Sequence, residues 1–126
     1  MDWITDQIAI GNFVNAREIP PEIDAVLCLA GECVRNCGDV VDVLTVPLHD
    51  GAGNSPRAIE QAIWFIGDVV KSGRRILVHC QAGRSSSVAI VAAYLVSTEG
   101  LDSNAALKLI SARRQFYLSP GIKEIL

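Results

Sequence analysis

Hydrophobic positions along the chain change their spacing several times, and each change marks a new element. Ile4, Ile8 and Ile10 keep an even spacing and stop at Gly11-Asn12, which predicts an early edge strand or hairpin over Ile4 to Ile10. Ala25-Val26-Leu27-Cys28-Leu29 is an unbroken apolar run ended by Gly31, the pattern of a strand buried on both faces. Val43 to Val46 reads the same way and is ended by Pro47. Ser55-Pro56 then offers a capping hydroxyl and a proline suited to a first helical turn. Behind it Ile59, Ala62, Ile63, Ile66, Val69 and Val70 recur at helical spacing as far as Lys71-Ser72-Gly73. Arg75 to His79 is another buried strand, and Ser87 to Thr98 is apolar on every side, which requires a helix at the centre of the protein. Asp102 caps a further helix with Ala105, Ala106, Leu109 and Ile110 inward and Arg113-Arg114 at its carbonyl end. Strands separated by helices imply an α/β fold, a central and mostly parallel sheet flanked by helices.

Length and composition narrow this to one domain over residues 1–126. Half the residues are hydrophobic, enough for a core and too many for a disordered chain. Mean hydropathy of +0.32 raises the question of a membrane span. The longest apolar run, Val88 to Val96, has nine residues, about half of the ~18 a spanning helix needs. A net charge of -3 argues against a general nucleic-acid or membrane footprint, so any anion must be captured locally. The opening Met1-Asp2-Trp3-Ile4-Thr5-Asp6 has no basic region of a signal peptide. With four cysteines, Cys28, Cys33, Cys37 and Cys80, a soluble cytoplasmic protein with reduced thiols is expected.

Chemistry concentrates in Val78-His79-Cys80-Gln81-Ala82-Gly83-Arg84-Ser85-Ser86-Ser87-Val88, where a buried strand ends at a cysteine and a buried helix follows a short loop. Loop amides in such a place converge into an anion-binding nest backed by the positive end of the helix dipole. The same surroundings favour the ionised, nucleophilic form of a cysteine. Cys80 is therefore a candidate nucleophile beside a phosphate cradle built from Gln81, Ala82, Gly83, Arg84, Ser85 and Ser86.

These residues resemble the cysteine-dependent protein phosphatases, and among them the compact dual-specificity branch, whose signature is His-Cys, five residues, Arg, then Ser or Thr. His79-Cys80, Ala82-Gly83 and Ser87 match in place. The likeness runs over nearly the whole chain: Ile8-Ala9-Ile10-Gly11 is similar to the family's opening strand, Ile23 to Glu32 to its next strand, and Arg113-Arg114 with Ser119-Pro120 to its closing segment. The resemblance implies a phosphatase-type strand, phosphate loop and helix, and a general acid on an upstream loop. Val46-Pro47-Leu48-His49-Asp50 ends a predicted strand thirty positions before Cys80 (80 minus 50), which assigns that role to Asp50. By the same resemblance His79 supports the cysteine loop and Ser87 donates a hydrogen bond to the thiolate, or serves as a helix cap. The implied partners are a phosphorylated protein or peptide and a phosphate-like anion in the loop, with a monomer acting without cofactor, nucleic acid or membrane.

One position departs from the pattern. Six residues after Cys80, where the family has arginine, stands Ser86. A guanidinium grips two phosphoryl oxygens at once, which a serine hydroxyl cannot do. Arg84 lies two positions earlier, on a side chain that the family's loop directs away from the cradle. Three readings follow: a phosphotyrosine phosphatase, acting on phosphoserine and phosphothreonine as well, weakened at its loop; a pseudophosphatase that binds phosphoproteins without turnover; and a rhodanese-like sulfurtransferase, which would not explain Asp50 or the segment from Arg113 to Pro120. The first is favoured, because a binding relic has little reason to keep both Cys80 and Asp50. Cys28, Cys33 and Cys37 give too few ligands for a structural zinc site, so no metal is expected. Cys28 is either a core thiol or a partner for oxidised Cys80. His49 is read as a solvated loop residue, and Trp64 and Phe65 as packing.

Overall fold

The structure is a computed structural model that describes residues 1–31 and 42–126; Cys33 and Cys37 lie outside the described residues. Strand β1 (Asp2–Trp3) pairs antiparallel with β2 (Ile8–Gly11). The segment is thus the hairpin that was the alternative to an edge strand, with Ile4 outside its strands, because the Thr5 hydroxyl accepts from the amides of Gln7 and Ile8 and folds Thr5-Asp6-Gln7 into a turn. Strands β3 (Ala25–Cys28), β4 (Asp42–Thr45) and β5 (Ile76–His79) complete a five-stranded sheet in the order β1-β2-β5-β3-β4. All pairs except β1 with β2 are parallel.

The continuous apolar runs are explained by cover on both faces. Ile8, Ile10, Ala25, Leu27, Ile76 and Val78 join the larger cluster beneath the helices, while Ala9, Val26 and Leu77 alternate with them and meet Ile23, Trp3 and Ile19 on the other side. Strand β4 corrects the sequence reading. Among the described residues it is the edge of the sheet, and Asp42, Val43 and Thr45 are exposed, so its apolar residues report edge pairing rather than burial on two faces.

Helix α1 (Phe13–Arg17) was not legible from hydrophobic spacing; it starts in a capping box in which Asn12 and Asn15 each satisfy the other's backbone amide. Helix α2 (Pro56–Lys71) starts as predicted, with the Ser55 side chain accepting from Ala58 N and Pro56 in the first turn. Its buried stripe is Ala62, Ile66 and Val69. Helix α3 (Ser86–Glu99) is buried from Ser86 through Leu95, packed by α2, the sheet and helix α4 (Ser103–Ser111). It stops at Gly100, whose left-handed backbone (φ +71°) suits glycine. Asp102 caps α4 through Ala105 N at 2.7 Å. Ala106 and Ile110 face inward, whereas Leu109, predicted inward, is exposed because at about 100° per residue it lies roughly 80° round the helix from the centre of the Ala106–Ile110 stripe. A 3-10 turn, Ile122–Ile125, seats Ile122 and Ile125 against the core. No helix among the described residues is long and apolar enough to cross a membrane.

Register decides where chemistry can occur. Gly11, His79 and Cys28 lie side by side at the carboxyl ends of β2, β5 and β3. The segments that follow these strands gather at that edge, the place where loops of a parallel sheet form sites.

Candidate active site

The loop from Cys80 to Ser85 joins the end of β5 to the start of α3. Cys80 is 8% exposed, and its Sγ lies 3.2 Å from both the Gly83 amide, which donates to it, and the Ser87 hydroxyl. Gly83 has a φ of +68°, and a Cβ there would stand 2.6 Å from the Gly11 carbonyl oxygen and 2.5 Å from Arg114 Nη2. Only glycine fits that close approach.

Bonds to three other segments set the loop's outer side. The Gln81 carbonyl accepts from Phe13 N at 3.2 Å, the Gly83 carbonyl from Arg114 Nε at 2.7 Å, and the Arg84 carbonyl from Tyr117 N at 3.0 Å. In a trans peptide the N–H points opposite to the C=O. The amides of Ala82, Arg84 and Ser85 are thus turned to the loop's inner side, where Gly83 N already meets Cys80. Ser85 is the N-cap of α3 but makes no side-chain cap, because its Oγ accepts from Ser119 N at 2.9 Å. The first amides of α3 thus have no side-chain cap from Ser85.

Arg114 is a correction as well. Read from sequence as a partner for the carbonyl end of α4, it bridges the Gly83 carbonyl and Asp2, the latter at 2.7 Å. His79 is fully buried beside Cys80. Burial holds its pKa below the usual imidazole value, opposed by a hydrogen bond to the Cys80 backbone.

Asp50 reaches the same place from the other side. Past β4 the chain keeps pairing through Val46 N to the Cys28 carbonyl (2.8 Å) and Leu48 N to the Leu29 carbonyl (3.0 Å), which carries Asp50 beyond the carboxyl end of β3. One carboxylate oxygen, Oδ2, accepts from Ser119 Oγ at 2.7 Å, and Oδ1 lies 3.5 Å from Ser86 Oγ, a long and weak contact. A cavity of about 400 Å³ is bordered by Cys80, Asp50 and the loop, with Leu29, Leu48 and Tyr117 as its apolar and aromatic walls.

The structure thus brings Cys80, Asp50, Ser86, Ser87 and the loop from Gln81 to Ser85 together. Gln81, Ala82, Arg84 and Ser85 border the cavity, while Gly83 lies buried behind it. Arg84 is exposed and Ser86 is buried. Ser87 is not a cap, since α3 already begins at Ser86. Cys28 is fully buried, level with His79 on the adjacent strand, and its Sγ lies 3.7 Å from the Ala30 carbonyl; no disulfide joins it to Cys80. His49 is exposed, Trp64 is exposed, and Phe65 packs against the core. Among the described residues no group of three or more His, Cys, Asp or Glu could hold a metal ion. Sequence reasoning gave no role to Tyr117 or Ser119. The Ser119-Pro120 pair was visible, but its approach to Asp50 depends on how the segment after α4 folds back.

Known proteins share both the sequence and the fold. The family model described as the dual specificity phosphatase catalytic domain matches residues 12–125. Mouse dual specificity protein phosphatase 2 is 34% identical over 93 residues, 73% of this chain and 29% of that protein. Arabidopsis thaliana dual specificity protein phosphatase 1B is 45% identical over 58 residues, 45% of this chain and 35% of that protein. The chain thus matches about a third of the length of these curated relatives. Among solved structures, human tyrosine phosphatase-like serine/threonine/tyrosine-interacting protein superposes with a TM-score of 0.86 at 23% identity, over 99% of this chain and 91% of that one. Human DUSP28 gives 0.85 at 21% identity, over 99% and 92%.

Proposed function

The chain belongs to the dual specificity phosphatase catalytic-domain family, and from that premise we propose that it hydrolyses phosphate monoesters on proteins, through Cys80 and Asp50, at a rate reduced by Ser86. The observation that carries this reading is the placement of Cys80 Sγ between the Gly83 amide and the Ser87 hydroxyl, on a cavity that Asp50 also borders. The sulfurtransferase alternative is set aside, since it gives neither Asp50 nor the closing segment a role.

Cys80 attacks phosphorus as a thiolate, and the bond from phosphorus to the substrate oxygen breaks as the carboxyl group of Asp50 supplies the proton that oxygen needs. A phosphocysteine results. Asp50, now a carboxylate, takes a proton from the attacking water, inorganic phosphate leaves, and the thiolate returns. The inward amides and the amino end of α3 hold the non-bridging oxygens. Ser87 Oγ hydrogen-bonds the sulfur as it regains charge, and neutral His79 braces the loop from behind. Arg84, Ser85, Gln81 and Ala82 complete the cradle.

The substrate is a phosphorylated protein or peptide carrying phosphotyrosine, and the open cavity admits phosphoserine and phosphothreonine. Residues 1–126 form one catalytic domain, acting as a monomer in the cytoplasm. One observation favours a second reading, binding without turnover: Ser86 places a short neutral side chain, weakly bonded to Asp50, where the family's arginine would grip the phosphoryl group. Hydrolysis of an activated aryl phosphate separates the two. Slow turnover that disappears in Cys80→Ser supports the hydrolase. Saturable phosphopeptide binding with no Cys80-dependent turnover supports the binding module.

A further inference from the structure

A carboxyl group that must give and then take a proton has to stay within reach of the substrate oxygen through both steps, and Asp50 stands exposed on a stretch with no regular secondary structure between β4 and α2. Such a loop is held only by what it touches. From within, the Asn54 side chain accepts from His49 N at 2.7 Å and donates to the His49 carbonyl at 2.8 Å and the Gly51 carbonyl at 3.2 Å. From outside, one turn near the end of the chain meets it three times. Ser119 Oγ donates to Asp50 Oδ2 at 2.7 Å, the Glu124 carboxylate accepts from Gly53 N, and Gly121, with φ +85°, lies so near that a Cβ would stand 2.7 Å from Ala52 N.

The same turn is fastened to the phosphate loop. Ser119 N donates to Ser85 Oγ at 2.9 Å, and Tyr117 N to the Arg84 carbonyl at 3.0 Å. Ser119 therefore joins the two halves of the site, its amide on the loop that begins at Cys80 and its hydroxyl on Asp50. A hydroxyl suits the task because it can rotate, donating to a carboxylate and accepting from a carboxylic acid, so that the contact survives both protonation states.

We propose that Ser119 is the positioning residue for Asp50, fixing the carboxyl group relative to Cys80 through the link Ser85, Ser119, Asp50. The proposal rests on the hydrolase reading. It predicts a defect confined to proton transfer. In the step that forms the phosphocysteine, removing the Ser119 hydroxyl slows substrates whose leaving oxygen needs a proton and spares those whose leaving group departs unaided.

The test compares the full chain with Ser119→Ala and Ser119→Thr on an activated aryl phosphate and on phenyl phosphate. General acid catalysis contributes roughly a hundred- to ten-thousand-fold, so partial misplacement of the acid should cost about tenfold or more in kcat/KM, which reports formation of the phosphocysteine, on phenyl phosphate, against about twofold or less on the activated ester. Vanadate affinity should stay nearly constant, Ser119→Thr should recover most of the loss, and Ser119→Ala should add nothing in an Asp50→Asn background. Equal losses on both esters, or a further loss in the Asp50→Asn background, would overturn the positioning role while leaving the hydrolase standing. Absence of Cys80-dependent turnover in the unmodified chain would overturn the hydrolase reading and this role with it.

Discussion

Ser86 Oγ lies 3.5 Å from Asp50 Oδ1, so the residue at the family's arginine position looks directly at the candidate general acid. The loop after Cys80 runs into the amino end of α3, and serine stands where the family has arginine. Every functional expectation for this chain depends on how much that arginine's charge supplies.

Cys80 should be the more reactive of the two described cysteines. It borders the cavity and is hydrogen-bonded by Gly83 N and Ser87, whereas Cys28 is fully buried in the sheet. Iodoacetate followed by peptide mapping should label Cys80 first, with vanadate slowing the reaction. Labelling at equal rates, indifferent to vanadate, would remove Cys80 from the nucleophile role.

Asp50→Asn should reveal itself through leaving groups. The variant keeps the side chain's shape and loses the transferable proton, so kcat/KM for phenyl phosphate should fall by about a hundredfold or more and that for an activated aryl phosphate far less. A loss that does not depend on the leaving group would mean that Asp50 only shapes the cavity.

Gly83→Ala should damage both stability and anion binding. The new Cβ must take a left-handed backbone and displaces Arg114 or the Gly11 carbonyl, at a cost of at least ~1 kcal/mol. Urea unfolding should show the loss, and vanadate should no longer protect Cys80. Unchanged stability and unchanged protection would contradict the loop geometry.

Most of the framework was legible in the sequence because its signals are local. Ser55-Pro56 and Asp102 cap helices whatever the rest of the chain does, and a run as apolar as Val88 to Val96 has nowhere to go but the centre. Val43 to Val46 misled because an apolar strand at an edge carries the same letters as one in the middle, and only neighbour order tells them apart. The loop that holds the candidate nucleophile was equally visible as a strand, loop and helix in succession. The contacts of Ser119 and Arg114 were not, because each acts on residues far away in sequence: Arg114 reaches Asp2 and Gly83, and Ser119 reaches Asp50 and Ser85. Such contacts follow from the path of the chain after α4, which no periodicity encodes.

Acid should weaken the fold through His79. Its folded pKa is lowered by burial, so above the unfolded imidazole value of about 6.5 both states are neutral and the residue contributes no pH dependence. As pH falls below that value the unfolded chain takes up a proton that the folded protein resists, and stability declines. Urea midpoints from pH 7.5 down to 5.5 should fall, and His79→Asn should flatten that slope. A slope unaltered by the substitution would show that other groups set it.

The most direct test of the central claim, a cysteine phosphatase complete except for one guanidinium, is the rate of aryl phosphate hydrolysis before and after Ser86→Arg. Removing a single preorganised donor costs roughly a hundred- to a thousand-fold in other enzymes, so supplying a bidentate cation beside Cys80 and Asp50 should raise kcat by at least about a hundredfold, with tighter vanadate binding. A folded Ser86→Arg protein whose rate stays at that of the unmodified chain would contradict the claim and leave phosphoprotein binding as the function of this site.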